Sequence, residues 1–364
     1  DLFDYSWIGT ETREPESVEA GRRPQTSASW IQGWMNAVSQ GKCGGAWYDP
    51  IDTAPATFLE QARQSIIGGA EESLLHCYDY LATKTPGLAI HGKDREIQYG
   101  LADAEAFRHE CDSLQWLAET LATMTPYGVA VPKQPNADPT TELFLPSFVG
   151  MLGIPAIAAA SLADRGSAFL GAQAATFPKV ISFIETALTD NRPLVVTAHL
   201  LAALENGHQL PENAFWQKLS AVGRTAADGG HTAADGGHTA SLTDVTPGIA
   251  VLSCPEDLWQ LMELDQGELD RFRNALLKPF GIEFFAPARV SLHLFASEDR
   301  HGEIVENFTD TPVTVTLRFA TQNSRQRRCK LAVPTRESAT LVNNDDSTYS
   351  LYLAPRSMAL LLTE

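Results

Sequence analysis

The sequence is poor in the features that mark several large protein classes. It has five cysteines in 364 residues, widely spaced and with no C-x-x-C pair. This spacing argues against a disulfide framework and against a zinc site, so buried free thiols are expected. No apolar run reaches the roughly 18–20 residues that a membrane span needs. We therefore expect a soluble protein without a membrane partner, and the sequence leaves cytoplasm and periplasm open.

Basic residues are also scarce. The chain has 27 Lys and Arg against 45 Asp and Glu, which gives a formal net charge of −18. A surface of this sign repels phosphate backbones and anionic membranes. No nucleic-acid partner is therefore expected.

The common motifs for nucleotide, metal and serine chemistry are missing as well. The sequence contains no G-x-S-x-G, no G-x-G-x-x-G, no Walker loop and no H-E-x-x-H. No cofactor and no metal are therefore predicted. Cys254 follows the apolar run GIAVLS, but Pro255 comes next instead of the glycine of a nucleophile elbow. We expect the part of the chain around it to be catalytically silent.

What the sequence does contain is an alternation of strand and helix patterns over residues 1–124. This alternation predicts a parallel sheet covered by helices. The predicted strands are 4–10, 42–49 and 72–81, and the predicted helices are 27–40, 55–69 and 103–124.

A second α/β layer is predicted for residues 125–284, in the form of an open flavodoxin-like sheet. Its predicted strands are 127–132, 154–158, 167–171 and 193–197, and its predicted helices are 140–152, 175–189 and the segment HLLAALE. Residues 225–239 repeat TAADGGH with a period of seven, and their Gly and Asp content predicts an inserted loop. Residues 285–364 carry seven short alternating runs, which predict a small antiparallel β-sandwich.

Three predicted strand ends carry side chains suited to catalysis. They are GTETRE with Glu11 and Arg13, AWYDPID with Trp47, Tyr48, Asp49 and Asp52, and LLHCYDYL with His76, Tyr78 and Asp79. In barrel-like α/β folds, catalytic groups sit at the carboxyl ends of strands. Aromatic faces stack on pyranose rings, and two carboxylates can divide the roles of glycoside hydrolysis. The sequence therefore favours a carbohydrate substrate.

Structural roles compete with each of these assignments. An acidic residue after a strand often caps the next helix, and Asp49 and Asp52 both precede the helix predicted from Pro55. Trp30 and Trp34 lie one helical turn apart, which is typical of a core face. His76 on an apolar strand suits a buried core position.

The order of parts resembles the multidomain glycoside hydrolases related to the family-42 β-galactosidases. The segment FLEQARQSIIGGAEESLLHCYDYL looks like the last helix and strand of a (β/α)8 barrel. The segment PNADPTTELFLPSFVGMLGIPAIAAAS looks like the start of an α/β domain related to glutamine amidotransferases. The resemblance implies the C-terminal part of a barrel over 1–124, an amidotransferase-like domain over 125–284 and a β-sandwich over 285–364. It also implies a chain that belongs to a longer enzyme and forms a trimer or dimer through the middle domain.

The resemblance also implies roles for individual residues. The strands that end at Glu11, Asp49 and Asp79 would be the sixth, seventh and eighth of the barrel. The nucleophile position then falls on Asp49, with Asp52 second, although such enzymes normally have Glu there. Glu11 would be a catalyst or bind substrate. The predicted substrate-binding residues are Arg13, Trp47, Tyr48, Tyr78 and Asp79. The alternative is a non-catalytic module for carbohydrate binding or oligomerisation.

Overall fold

The computed structural model describes residues 5–17, 21–51, 53–75, 81–82, 87–88, 97–98, 100–137, 140–162, 166–227, 240–320, 329–331, 339–345 and 347–363. Several residues with predicted roles lie outside the described residues: Asp52, His76, Tyr78 and Asp79. Among the described residues, no helix combines the length and apolar character needed to cross a membrane.

The first part of the chain forms a three-stranded parallel sheet. Its strands are β1 (Ser6–Gly9), β2 (Cys43–Tyr48) and β3 (Glu72–Leu75), paired in that order. The helices α1 (Ser27–Ser39) and α2 (Pro55–Ile67) connect them. The parallel sheet predicted from the alternation is therefore present, and its described strands form an open sheet that closes no barrel.

Helix α2 is buried on nearly all sides, although it is rich in polar residues. It begins at Pro55 and stops at the glycine pair 68–69, as expected from helix-stop signals. The carboxylate of Glu14 caps it from another loop, since Glu14 Oε1 accepts a hydrogen bond from the Ala54 N–H at 2.7 Å. Of the two caps predicted as alternatives, Asp49 accepts a hydrogen bond from the Ile51 N–H, and Asp52 lies outside the described residues.

The polar residues of α2 are buried because the last sheet of the chain packs on them. Arg63 contacts Glu306 at 3.3 Å, and Glu60 contacts Arg356 at 3.2 Å. Burial raises the pKa of Glu60 to about 8 and that of Glu306 to about 7. This ionic network fixes the three-stranded sheet against the C-terminal part of the molecule.

Two short strands, β4 (Gly87–Leu88) and β5 (Ile97–Gln98), precede the helix α3 (Leu101–Leu121), which packs on α2 through Leu114 and Leu117. Two further strands follow at once, β6 (Thr125–Tyr127) and β7 (Val129–Pro132). The single strand predicted for 127–132 is therefore two strands in different sheets, since β6 pairs far along the chain and β7 does not.

The central sheet has six strands and helices on both faces. Its strand order is β8–β7–β9–β10–β12–β11, and all neighbours are parallel except the last pair. The strands are β7, β8 (Ala156–Ala159), β9 (Ala168–Leu170), β10 (Leu194–Thr197), β11 (Ser241–Thr246) and β12 (Ile249–Ser253). After β7 the chain forms β8 on one side of β7 and then β9 on the other side. The position between β7 and β9 is therefore the topological switch point, where open sheets bind ligands.

Two helices of this layer, those predicted over 140–152 and 175–189, are shorter than predicted. One face carries α4 (Leu145–Met151) and α8 (Gln266–Leu277), and the other carries α5 (Val180–Thr189), α6 (Ala198–Asn206) and α7 (Ala214–Ala227). The predicted helix 140–152 starts late because Glu142 and Phe144 have positive φ angles of 54° and 65°. The predicted helix 175–189 is interrupted before α5, where Ala172–Thr176 form a 3₁₀ turn ahead of Pro178.

The predicted loop 225–239 is corrected at its start. Helix α7 includes Ala227, because Thr-Ala-Ala is compatible with a helix. The rest of the repeat lies outside the described residues.

Two antiparallel sheets complete the fold and share one core. The first has the order β13–β16–β19–β18 and the second the order β17–β20–β15–β14–β6. The strands new to these sheets are β13 (Ile282–Phe285), β14 (Val290–Ala296), β15 (His301–Asn307), β16 (Val313–Phe319), β17 (Cys329–Leu331), β18 (Ala339–Asp345), β19 (Thr348–Leu353) and β20 (Met358–Thr363). All seven strands predicted beyond residue 285 are found, and the sheets also recruit β6 and β13.

Three cysteines are described as free thiols. Cys43 and Cys254 are buried, as predicted, whereas Cys111 is exposed on α3. The prediction failed at Cys111 because it sits on the solvent side of an amphipathic helix.

Candidate functional site

Glu11 and Asp49 follow two neighbouring parallel strands, at the same edge of the three-stranded sheet. Asp49 comes directly after β2, and Glu11 stands two residues after β1. The pairing continues past the end of β1, since the Thr10 N–H donates to the Trp47 carbonyl at 2.9 Å. The strand ends thus bring these two carboxylates, which the sequence singled out, into one region of the molecule.

Glu11 is poorly partnered for a carboxylate with so little exposure. Its side chain is 16% exposed, and its Oε1 lies 3.5 Å from an Arg23 nitrogen. Its Oε2 is buried and has no hydrogen-bond partner among the described residues. Burial is the main cause that raises the pKa of Glu11, and the charge of Asp49 raises it further. A carboxyl in this state holds a proton more readily than an exposed one, as a general acid requires.

Asp49 is more deeply buried and better partnered. Its side chain is 4% exposed, and Oδ2 lies 3.4 Å from a guanidinium nitrogen of Arg13. Its Oδ1 accepts a hydrogen bond from the Ile51 N–H at 3.0 Å. A guanidinium next to the carboxylate favours its charged form. The two acids thus have different surroundings, which is how paired carboxylates acquire different roles.

Arg13 was predicted to bind substrate, and in this structure it pairs with Asp49. It adopts a left-handed backbone conformation with φ of 54°, which is uncommon for a residue with a side chain. An uncommon backbone conformation of this kind costs free energy and often accompanies function. Its side chain is 30% exposed, so it remains accessible from solvent.

Trp47 packs beside Glu11, and Gly9 is the reason that the two can approach each other. A Cβ atom on Gly9 would lie 2.7 Å from Glu11 Oε2 and 2.8 Å from Trp47 Cζ2. Both distances are below the contact distance of real side chains, so only glycine fits at the end of β1. The partly buried indole of Trp47 thus lies next to the carboxylate, as a stacking surface for a sugar would.

Tyr48 was predicted to bind substrate, and the structure does not bring it together with Glu11 and Trp47. It is 1% exposed and packs edge-on against Phe58 of α2. Burial raises the pKa of its hydroxyl, which interacts with Ser73. Side chains alternate along a strand, so Tyr48 faces the core where Trp47 faces the other way.

Asp103, in the first turn of α3, was missed by the sequence reasoning. Its side chain is fully buried, and neither carboxylate oxygen has a partner among the described residues. Burial raises its pKa to about 7, and the charge of Glu14 contributes. Glu14 caps α2 just beyond β2, so Asp103 lies on the same side of the sheet as the other acids. An acid in the first turn of a helix is common for electrostatic reasons, so the sequence carried no signal for it.

A second cluster missed by sequence reasoning lies at the carboxyl edge of the six-stranded sheet. His199 Nδ1 lies 3.1 Å from Glu142 Oε1, and Glu142 Oε2 accepts from the Ala172 N–H at 2.6 Å. The Cys254 thiol also interacts with Glu142, and burial is the main cause that raises its pKa well above the usual value. A protonated thiol is a poor nucleophile, so the prediction of a catalytically silent unit remains our interpretation. These residues line a crevice of about 400 Å³.

Trp30 and Trp34 were predicted to be core residues, and both are only partly buried. They line a separate cavity of about 220 Å³ that also contacts Glu11. No group of three His, Cys, Asp or Glu side chains within the described parts of the chain is arranged to hold a metal ion.

The chain is similar to carbohydrate-active enzymes. Residues 1–110 match a family model described as the catalytic domain of a probable glycosyl hydrolase. This match includes Glu11, Asp49 and Asp103. No curated protein matches the chain.

Among solved structures, the fold resembles those of two β-galactosidases, which confirms the predicted resemblance at the level of the fold. The β-galactosidase of Rahnella sp. R3 is 11% identical with a TM-score of 0.51, over 100% of this chain and 60% of that one. The β-galactosidase of Bacillus circulans sp. alkalophilus is 10% identical with a TM-score of 0.51, over 94% of this chain and 58% of that one. A rhamnosidase from Novosphingobium sp. PP1Y is 11% identical with a TM-score of 0.48, over 99% of this chain and 34% of that one. The chain thus spans at most about 60% of the length of these structures.

Proposed function

We propose that this chain carries part of the catalytic site of a glycoside hydrolase. Glu11 would be the general acid that protonates the leaving oxygen, and Asp49 the carboxylate that acts as nucleophile or base. The observation that carries this proposal is the contrast between the two acids on adjacent strand ends. Glu11 has an unpartnered oxygen and a raised pKa, whereas Asp49 is held next to a guanidinium.

The neighbouring residues have supporting roles in this proposal. Trp47 would stack on the sugar ring, and Arg13 would hold Asp49 in its charged form and contact hydroxyls. Asp52, Tyr78 and Asp79 lie outside the described residues and keep their proposed roles from the sequence. Asp103 is added as a third carboxyl that is protonated up to near-neutral pH.

The domain organisation is part of the proposal. Residues 1–124 would contribute the last strands of a (β/α)8 barrel, 125–284 an amidotransferase-like domain and 285–364 a β-sandwich. The open edges of the three-stranded sheet support this division, since β1 and β3 each pair on one side only within the described part of the chain. The middle domain would also join copies of the chain into a trimer or dimer.

The alternative function is a non-catalytic carbohydrate-binding or oligomerisation module. One observation favours it: Asp49 Oδ1 accepts the Ile51 N–H, as in a turn that an aspartate stabilises locally. A residue that only closes a turn could be replaced by Asn without loss of activity.

The test is Asp49→Asn in an active protein that contains this chain, with hydrolysis of a panel of 4-nitrophenyl glycosides as the readout. Asn retains the contact with Ile51 but loses the charge. We expect kcat/KM to fall by about 10²–10⁴-fold. Asp257→Asn is the matched control, because Asp257 also pairs with an arginine and caps a turn, away from the site. Equal activity of both variants would remove Asp49 from the mechanism and favour the binding module.

A further inference from the structure

The cavity next to Glu11 lies where the carboxyl edges of two parallel sheets meet. Glu11 follows β1 of the first sheet, and Lys133 and Gln173 follow β7 and β9 of the second. Between them stand Trp30 and Trp34 of α1. Carboxyl edges of parallel strands are the usual position of ligands in both barrel and open-sheet folds. Here two such edges face one partly open cavity of about 220 Å³.

One wall of the cavity is aromatic. The rings of Trp30 and Trp34 are nearly parallel, with 10° between their planes and 6.3 Å between their centroids. Phe144 contributes a third ring. The volume is below the range of about 300–1,000 Å³ that is typical for drug-sized ligands, so it suits a single ring.

The cavity wall contains several unsatisfied polar atoms. Four of the lining residues each have a buried polar atom with no hydrogen-bond partner among the described residues: Glu11 Oε2, Ser27 Oγ, Trp30 Nε1 and Gln173 Oε1. All four atoms are covered by protein in this structure, so a ligand in the cavity would reach them only after side-chain rotations. Acceptors and donors together match the hydroxyl groups of a sugar.

The charges around the cavity favour an anion. Its charged lining residues are Arg23, Lys133 and Glu11. Arg23 forms an ion pair with Glu11. Lys133 Nζ lies 4.1 Å from the centroid of the Trp34 ring, and no described carboxylate forms an ion pair with Lys133. Desolvation lowers the pKa of Lys133. A partly desolvated cation without a counter-ion attracts an anionic group, in a chain whose net charge is −18.

We propose that this cavity is a binding subsite for one pyranose ring that carries a negatively charged substituent, with the ring against Trp30 and the substituent at Lys133. Asp49 does not line the cavity, whereas Glu11 does. The subsite therefore shares Glu11 with the proposed catalytic pair and does not include Asp49. The sugar as ligand class rests on the proposed function, but the ring-sized volume, the unpartnered atoms and the unpaired lysine do not.

The experiment is titration calorimetry of the 364-residue protein with four probes: D-glucuronate, D-galactose 6-sulfate, D-galactose and acetate. Galactose 6-sulfate and glucuronate distinguish a sulfate ester from a carboxylate as the source of the charge. We expect at least one charged sugar to bind about tenfold or more tightly than galactose. Acetate should bind no better than galactose, because it lacks the ring. Equal binding of charged and neutral sugars, binding of acetate alone, or no binding would each overturn the proposal.

Two variants locate the binding. Lys133→Met keeps the packing on Trp34 and removes the charge, and Gln173→Leu removes one unpartnered acceptor. Both should weaken binding of the charged sugar by about tenfold. The control is Lys179→Met, an exposed lysine outside the cavity, which should leave binding unchanged. An equal effect of Lys133→Met and Lys179→Met would show a surface-charge effect and contradict the subsite.

The result can be separated from the test of Asp49. Full binding together with unchanged turnover in Asp49→Asn would retain the subsite and overturn the proposed catalysis. Absent binding together with lost turnover in Asp49→Asn would do the reverse.

Discussion

Glu11 and Glu142 occupy comparable positions in two sheets, and their surroundings are opposite. Each follows the first strand of a parallel sheet, at its carboxyl edge, and each has a side chain with little exposure. Both oxygens of Glu142 accept hydrogen bonds, from His199 and from the Ala172 N–H. One oxygen of Glu11 accepts none from the described residues.

The difference separates a structural carboxylate from a reactive one. Buried polar groups in native proteins are nearly always satisfied, and the exceptions need a reason. Glu142 ties three strand ends together and leaves little capacity for a ligand. Glu11 keeps an oxygen unpaired next to the indole of Trp47, at the expense of stability. We call the carboxyl edge of the three-stranded sheet, with Glu11, the first edge, and that of the six-stranded sheet, with Glu142, the second edge. Substitutions at the first edge should therefore reduce activity, and substitutions at the second edge should reduce stability.

The largest expected effect is on activity, for Glu11→Gln. The substitution keeps the shape and removes the proton that the proposed general acid donates. In an active protein that contains this chain, kcat/KM should fall by about 10²–10⁴-fold. The melting temperature should stay the same or rise, because an unsatisfied charge is removed. A loss of stability with retained turnover would place Glu11 in the same structural class as Glu142.

The second effect is on stability, for Glu142→Ala. The Ala172 N–H and His199 would lose their shared acceptor. We expect the free energy of unfolding to fall by about 1–3 kcal/mol, measured by urea denaturation. Turnover per folded molecule should be unchanged. If Glu142→Ala left stability unchanged and reduced activity, the comparison between the two edges would fail.

Gly9→Ala tests whether the close approach of Glu11 and Trp47 requires glycine at position 9. The new methyl group would meet Glu11 Oε2 and the Trp47 ring at less than contact distance. Overpacking of this kind costs about 1–3 kcal/mol, and activity should fall together with stability. Gly33→Ala, within α1, is the matched control, since its nearest atoms are 3.9 Å away. That control should gain about 0.5–1 kcal/mol from helix propensity.

Helices and strands could be predicted from the sequence where neighbouring residues determine them. The spacing of Trp30 and Trp34, and the proline and glycines around α2, predicted both helices to within two residues. The strand ends at Glu11 and Asp49 also followed from local pattern. The pairing of β6 with β14 did not, because it joins segments about 170 residues apart and leaves no periodic trace in either.

The environment of the side chains was the part that the sequence could not supply. An alternating strand shows that Trp47 and Tyr48 face opposite ways, but not which of them faces the core. Glu60 and Arg63 look like the exposed face of a helix until the last sheet covers them. The unpaired oxygens of Glu11 and Asp103 likewise depend on which groups from distant segments fail to reach them.

Asp103, which lies on the same side of the sheet as Glu11 and Asp49, should make the stability of the protein depend on pH. Its pKa in the folded protein is about 7, above the ordinary value of 3.8. A carboxyl with a raised pKa contributes stability at pH values below its ordinary pKa, and this contribution is lost as pH rises through 7. Asp103→Asn should therefore flatten the decline in unfolding free energy between about pH 4 and 7, with a gain of about 1 kcal/mol at pH 8. An unchanged pH profile would show that Asp103 is charged throughout.

His199, at the second edge, should make stability depend on pH in the same direction as Asp103 but to a smaller extent. The cause differs, because a hydrogen bond raises the pKa of His199 whereas burial raises that of Asp103. Its hydrogen bond to Glu142 raises its pKa, so the imidazolium is favoured in the folded state. Stability from this pair is complete below the ordinary pKa of 6.5 and is lost as pH rises through the folded value. His199 is 48% exposed, so the effect on stability should stay below about 1 kcal/mol.

His199→Gln should abolish this pH dependence, and an NMR titration of the His199 ring should show the raised pKa in the parent chain. Burial destabilises the charged form of Asp103, which has no hydrogen-bond partner among the described residues, whereas the hydrogen bond to Glu142 stabilises the charged form of His199. A lowered pKa of His199 would mean that desolvation outweighs Glu142, and the second edge would then be no better satisfied than the first.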